Sequence, residues 1–230
     1  MNKRIQSTIW SGAKGALSFL VAANVFAGAA PTDSAPSVEE TMKTLLTVYE
    51  QIGEGSMQSL NQIGHAYFDL AEKASSTADK VKHYEKASEA FVKAADAGCA
   101  EAIYNAGLAF NKLGELAAED AQMSAQHNGQ AAKFYRLIVS QQKVHKDLAL
   151  KAAINLAILV LNAKVQADTT EIAGWIDLAK EAVATSPKKA KSLMDTSMAI
   201  LLKMSSPDAK ATTEPKPETV EGKTPATMTA

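Results

Sequence analysis

The side chains in this chain best suited to acid–base, nucleophilic or metal chemistry are four histidines and one cysteine, so their spacing decides what chemistry to expect. His65, His83, His127 and His145 are dispersed. None falls in the H-x-x-x-H or H-E-x-x-H spacing that puts two imidazoles on one helix face to hold a metal. The pattern predicts surface or helix-cap histidines, with no metal and no cofactor. His65 has one suggestive neighbour, Asp69, at the i, i+4 spacing that brings two side chains together on a helix. Cys99 is the only cysteine, which rules out an intramolecular disulfide. It reads as a small buried residue at a helix start, the alternative being a free thiol that pairs with another chain. No G-x-S-x-G, phosphate-binding loop or dinucleotide glycine motif occurs. The expectation is a protein that is not an enzyme.

Two further groups of residues have a chemical and a bland reading. Met42, Met57, Met123, Met194, Met198 and Met204 could form a soft-metal or adaptable surface, but their helical spacing predicts core filling. Lys188, Lys189 and Lys191 could touch anionic lipid; a solvated helix face is the simpler expectation. At 230 residues, 47% hydrophobic and 21% charged, the chain has the composition of a globular protein. Its net charge of −1 and its two arginines, Arg4 and Arg136, give no basic footprint for nucleic acid.

Residues 1–29 resemble an export signal: Lys3, Arg4 and Lys14 are basic, no acid occurs, and Gly15 to Ala30 is small and apolar. Cleavage is expected after Ala27 or Ala29, leaving a mature chain that is periplasmic or secreted and does not span a membrane. The apolar run is shorter than the roughly 20 residues a spanning helix needs, which disfavours a retained anchor. Residues 30–36 read as a flexible leader and 207–230, with four prolines, as a disordered tail.

Between them, residues 37–206 read as helix throughout. Ser37 and Glu40 make a capping box for a first helix carrying Val38, Met42, Leu45, Leu46 and Tyr49. A second helix is expected from about Ser56 to Ala74 and a third from about Ala78 to Ala97, with Gly98 as the stop. Leu148 to Val165 is apolar nearly all round, as a central helix covered on both sides would be. Asp168 with Glu171 should cap the helix of Trp175, Leu178 and Ala179, and Ser186-Pro187 should open a last helix.

A shift of 43 residues lays Leu60 on Ile103, Ile63 on Ala106, Gly64 on Gly107, Tyr67 on Phe110, Leu70 on Leu113 and Phe91 on Phe134. A period of this size signals stacked helix pairs, each unable to bury its own apolar face. Phe134 is then the expected core anchor of the second copy. A third, looser copy places Asn155, Ala157 and Val160 50 residues beyond Asn105, Gly107 and Phe110. Glycine twice at one repeat position predicts close backbone approach, since mid-helix glycine otherwise costs about 1 kcal/mol.

The junction Ala94-Ala95-Asp96-Ala97-Gly98, followed by Ala102, Asn105, Gly107 and Phe110, resembles the Sel-one-like repeat, a relative of the tetratricopeptide repeat. The resemblance implies an all-α, right-handed solenoid of αα-hairpins, with about three degenerate repeats and flanking N- and C-terminal helices. It also implies an exported scaffold or adaptor that mediates protein–protein interaction, in an envelope or secretion assembly. Its partner is a protein or peptide of unknown identity. A cell-wall-acting envelope enzyme and a secreted effector acting on a host are the alternatives. In such repeats the first helix of each pair lines the partner groove. The matching positions are Asn61, His65 and Asp69 in the first copy, with Gln58 beside them, and Glu101, Tyr104, Leu108, Asn111 and Lys112 in the second. Lys151, Ile154, Ile158 and Asn162 are their counterparts in the third.

Overall fold

A computed structural model of the chain describes residues 56–206 together with Glu40, Lys43, Thr44, Leu46 and Thr47. The expected export signal, leader and tail lie outside the described residues, as do Ser37, Val38, Met42, Leu45 and Tyr49. Glu40, Lys43, Thr44, Leu46 and Thr47 are helical, and Leu46 is buried. The remaining described residues form seven helices: α1 (Met57–Lys73), α2 (Thr77–Asp96), α3 (Ala100–Leu116), α4 (Ala121–Ser140), α5 (Lys146–Leu161), α6 (Thr169–Ala182) and α7 (Pro187–Ser205). No strand occurs among the described residues. None of the described helices is long and apolar enough to cross a membrane. The chain divides into two compact units, residues 1–131 and 132–230, the division falling within α4.

Local chemistry accounts for most helix ends. Ser56 Oγ accepts from the Ser59 amide at 3.1 Å, Ser76 Oγ from Asp79 at 3.0 Å, Asp120 Oδ1 from Met123 at 3.0 Å, and Asp168 Oδ1 from Glu171 at 2.7 Å. Each satisfies an amide that has no partner in its own helix. Ser186 occupies the N-cap of α7 with Pro187 behind it, but its hydroxyl makes no capping bond. At the end of α2 the chain turns through Gly98 at φ 95°, with Gly98 N–H donating to Ala95 O and Cys99 N–H to Ala94 O. The end of α5 repeats this pattern with Ala163 at φ 55°, its N–H donating to Val160 O while Lys164 N–H reaches Leu159 O. Glycine suits the left-handed position; alanine sits there with its Cβ against the following carbonyl.

In the first unit α1 and α3 both pack on α2, and α1 also touches α3. Phe91 is 1% exposed, its ring lying on Gly64, where an added Cβ would meet ring carbons at 2.5 Å. This is the close approach that the glycine predicts. Leu46, Ile63, Leu70 and Ala90 form one apolar cluster, and Ala71, Tyr84 and Leu113 another, with Phe68, Val81, Phe110 and Leu116 against it.

The buried pattern recurs in two registers, not one. A shift of 43 superimposes the buried positions of α1 on those of α3: Leu60 on Ile103, Ile63 on Ala106, Gly64 on Gly107, Leu70 on Leu113 and Ala71 on Gly114. The same shift fails between α2 and α4, where it lays Phe91 on half-buried Phe134 and Ala94 on Leu137, which is 45% exposed. A shift of 44 instead lays Ala87 on Ala131, Ser88 on Ala132, Phe91 on Tyr135 and Ala94 on Ile138, all buried. The cause is loop length: three residues, 74–76, join α1 to α2, whereas four, 117–120, join α3 to α4. Tyr135, at 0% exposure, is therefore the anchor that the single-period reading assigned to Phe134.

In the second unit α7 packs on both α5 and α6, which fits the broad buried face of α5: Ala149, Leu150, Ala152, Ala153, Leu156, Ala157 and Leu159. Trp175, Tyr135, Ile138, Leu156, Ile172 and Leu193 are among its large buried side chains. Polar ties cross the helices at their ends. Arg136 Nε and Nη2 donate to both oxygens of Glu171, at 2.8 and 3.1 Å, and Nη2 also donates to Gln166 O at 2.6 Å. Lys203 Nζ donates to Leu161 O at 3.1 Å, meeting the negative end of α5. Lys151 and Lys189 both pair with Asp147, and their hydrogen bonds hold its carboxyl below the ordinary range. Lys188 and Lys191 are exposed, as on a solvated helix face, with Lys191 pairing with Asp195, while Lys189 on Asp147 is half-buried.

None of the described methionines is buried in the core. Met123, Met198 and Met204 are exposed, Met57 and Met194 are half-buried, and Met42 lies outside the described residues. Helical spacing alone does not say which face of a helix is covered, and these positions fall beside the buried stripe.

Two substitutions test the caps: Ala163→Gly should raise stability by about 0.5–1 kcal/mol, and Gly98→Ala should lower it by about 1 kcal/mol, read by chemical denaturation. For the register, Tyr135→Ala should cost about 3–5 kcal/mol and Phe134→Ala clearly less. The reverse order would restore the single 43-residue period.

Candidate functional site: the face shared by α1 and α3

The residues singled out on the first two copies fall on α1 and α3, and two sets of polar contacts fix these helices side by side. Asn105 Nδ2 donates to Asn61 Oδ1 at 3.2 Å and lies 3.1 Å from His65 Nε2. Two turns further on, Lys112 Nζ reaches Glu72 at 3.8 Å and Glu115 at 3.5 Å. Spacing explains the alignment. Asn61, His65, Asp69 and Glu72 follow one another along one side of α1, as Glu101, Asn105, Leu108, Lys112 and Glu115 do along α3.

The members of the predicted groove differ in what they offer. Asn61 is 5% exposed and Asn105 7%, so this amide pair belongs to the interior and presents nothing to a partner. His65 is half-buried, edge-on to Phe91 with ring centroids 5.3 Å apart, and makes no hydrogen bond with Asp69. Asp69 and Glu101 are exposed, while Tyr104, Leu108, Asn111 and Lys112 are half-buried. Asn111 Nδ2 donates to Glu115 Oε1 at 3.0 Å. Asn105, Glu72 and Glu115 are the members of this face that a groove reading of the sequence omits. Asn105 was visible only as a repeat-consensus position, and the carboxylates only through the cross-helix contact of Lys112. At the positions expected to form a third copy, Lys151 pairs with Asp147 at 2.8 Å, Asn162 is the C-cap of α5, Ile154 is half-buried and Ile158 is 42% exposed.

Bookkeeping of donors fixes the chemistry of the buried cluster. Asn61 Oδ1 only accepts, so the two hydrogens of Asn105 Nδ2 go to it and to His65 Nε2. Nε2 must then carry its lone pair, with the ring proton on Nδ1. The cluster is a structural clamp in which imidazole serves as an acceptor.

The other histidines are also more than surface groups. His83 stacks on Tyr67 at 6.2 Å and 26°, and His127 stacks on Phe110 at 6.3 Å and 25°. Lys86 Nζ lies 5.0 Å from the centre of the Tyr67 ring, within cation–π range. His145 occupies the N-cap position of α5, but its ring makes no capping bond. Cys99 stands at the start of α3 as predicted but is half-buried and makes no capping bond. Behind the face, Tyr84 is buried and donates to Glu72 Oε1. Burial first, then that hydrogen bond and the charges of Glu72 and Glu115, push its phenol far above the ordinary range. Among the described residues no group of three His, Cys, Asp or Glu side chains is placed to hold a metal ion.

Comparison of the chain with protein-family models, with curated proteins and with solved structures finds no match.

The clamp gives a direct test. Long-range nitrogen–proton spectra at neutral pH should show His65 protonated on Nδ1; a proton on Nε2 would mean that both amides are turned over. Asn105→Ala strands Asn61 Oδ1 in the interior and should cost about 1–3 kcal/mol in denaturation experiments.

Proposed function

We propose that the chain is an exported, non-enzymatic helical-repeat scaffold whose α1–α3 face engages a protein or peptide in an envelope or secretion assembly. In this reading its hairpins continue as a right-handed solenoid of about three degenerate repeats, with a cleaved signal over residues 1–29. The observation that carries it is the recurrence of one arrangement. Tyr67–His83 and Phe110–His127 are stacks of the same spacing and tilt, at positions related by 43 residues on the first helix and 44 on the second. Repeat proteins of this kind bury each hairpin against the next and leave the first-helix row as an extended surface. The α1–α3 face supplies such a row, with Tyr104 and Leu108 partly accessible between polar side chains.

The experiment is affinity capture from native cells with the wild-type chain and a Tyr104→Ala/Leu108→Ala variant, together with mass spectrometry of the mature N-terminus. A specific partner should be lost with the variant while its melting temperature stays within a few degrees of wild type. Retention of every partner by the variant would remove the face from the interaction. An N-terminus at Met1 would remove the cleaved signal.

A further inference from the structure

Charge is unevenly divided in the first unit, and the division bears on what its α1–α3 face can hold. α1 and α3 together carry four carboxylates, Asp69, Glu72, Glu101 and Glu115, against two lysines, Lys73 and Lys112. α2 by contrast balances four acids with four lysines. On the face itself Lys112 is held between Glu72 and Glu115, so it is not available to an incoming anion. Asp69 and Glu101 are exposed and, among the described residues, engage no hydrogen bond or ion pair. One and two turns beyond Glu101, Tyr104 and Leu108 keep part of their surface accessible. The face thus combines two uncompensated carboxylates with an aromatic and an aliphatic contact.

We propose that the occupant of this face is a basic segment of a partner protein, with lysine or arginine side chains on Asp69 and Glu101 and an aliphatic or aromatic residue against Tyr104 and Leu108. The proposal rests on the scaffold reading and names the chemistry of its partner. Charge complementarity selects this occupant: an acidic peptide or an anionic lipid surface meets repulsion from the same carboxylates. Fixed side-by-side helices also suit a segment, since the clamp at Asn61, His65 and Asn105 and the Lys112 bridge hold the row in place before binding.

Binding is measured on the full chain by fluorescence anisotropy and amide shift mapping with three short synthetic peptides. One carries lysines and leucines, the second has glutamates for the lysines, and the third has serines for the leucines. The lysine–leucine peptide should bind best and shift the amides of residues 101–108. Its affinity should fall about fivefold or more in D69N/E101Q, two exposed substitutions, and again on raising the salt from about 50 to about 500 mM. Equal affinity for wild type and D69N/E101Q, or binding of the glutamate peptide at least as tightly, would overturn the basic-segment proposal. If the native partner is still lost with the Tyr104→Ala/Leu108→Ala variant in that case, the scaffold reading survives its charge refinement. If it is retained, both fall.

Discussion

The contact on which the first unit depends is the ring of Phe91 on the bare backbone of Gly64. Burying a phenylalanine gives about 2–3 kcal/mol, whereas a mid-helix glycine gives up about 1 kcal/mol against alanine, so the exchange is favourable only if the ring fills the space. It does, to 1% exposure. At another pair of recurring positions the chemistry changes. Where Ala71 faces buried Tyr84 in an apolar cluster, the equivalent Gly114 faces Asn128, whose Oδ1 lies where a Cβ would be. Ser124 Oγ donates to Gly114 O at 2.9 Å and accepts from Asn128 Nδ2 at 3.2 Å. Small residue opposite large is retained; polarity is not.

The second unit is held with more directed bonds at its helix ends. A forked guanidinium on a carboxylate is the geometry that makes arginine different from lysine, and Arg136 adds a backbone carbonyl to its two oxygens of Glu171. Removing that side chain would leave the end of α4, the start of α6 and the strand of chain before it without a common partner. Lys203 and the pair on Asp147 act alike at the ends of α7. Their exposure makes each a modest contributor, so they align helices whose affinity for one another comes from Trp175, Ile172, Leu193 and their neighbours.

Much of the fold was legible because helix signals are local. Asp168 with Glu171, Gly98, and the alternation around Leu60, Ile63, Tyr84 and Phe91 each declare themselves within a few residues. What was not legible depends on distances that a local pattern does not contain. One extra residue before α4 moved the anchor from Phe134 to Tyr135, and a period counted on the first helices does not see it. At the candidate site Asn61 looked like a polar groove residue because polarity normally reports exposure. Its partner 44 positions away reversed that inference, and only packing brings Asn105 to it. Methionine misled in the other direction: apolar type and helical spacing were right, but the face they occupy is outside the core.

The loop of residues 117–120 has a consequence for how this chain can be cut and recombined. One added residue inside a helix would turn every following side chain by about 100° and bring a polar stripe into the interior. Placed between helices, the same residue is silent, because Asp120 starts the next helix afresh just as Ser76 does. The modular piece is therefore a single helix with its own capping residue. A graft that copies α1 and α2 onto α3 and α4 position by position would carry the first helix correctly and misalign the second, whereas a graft made cap to cap would tolerate loops of either length.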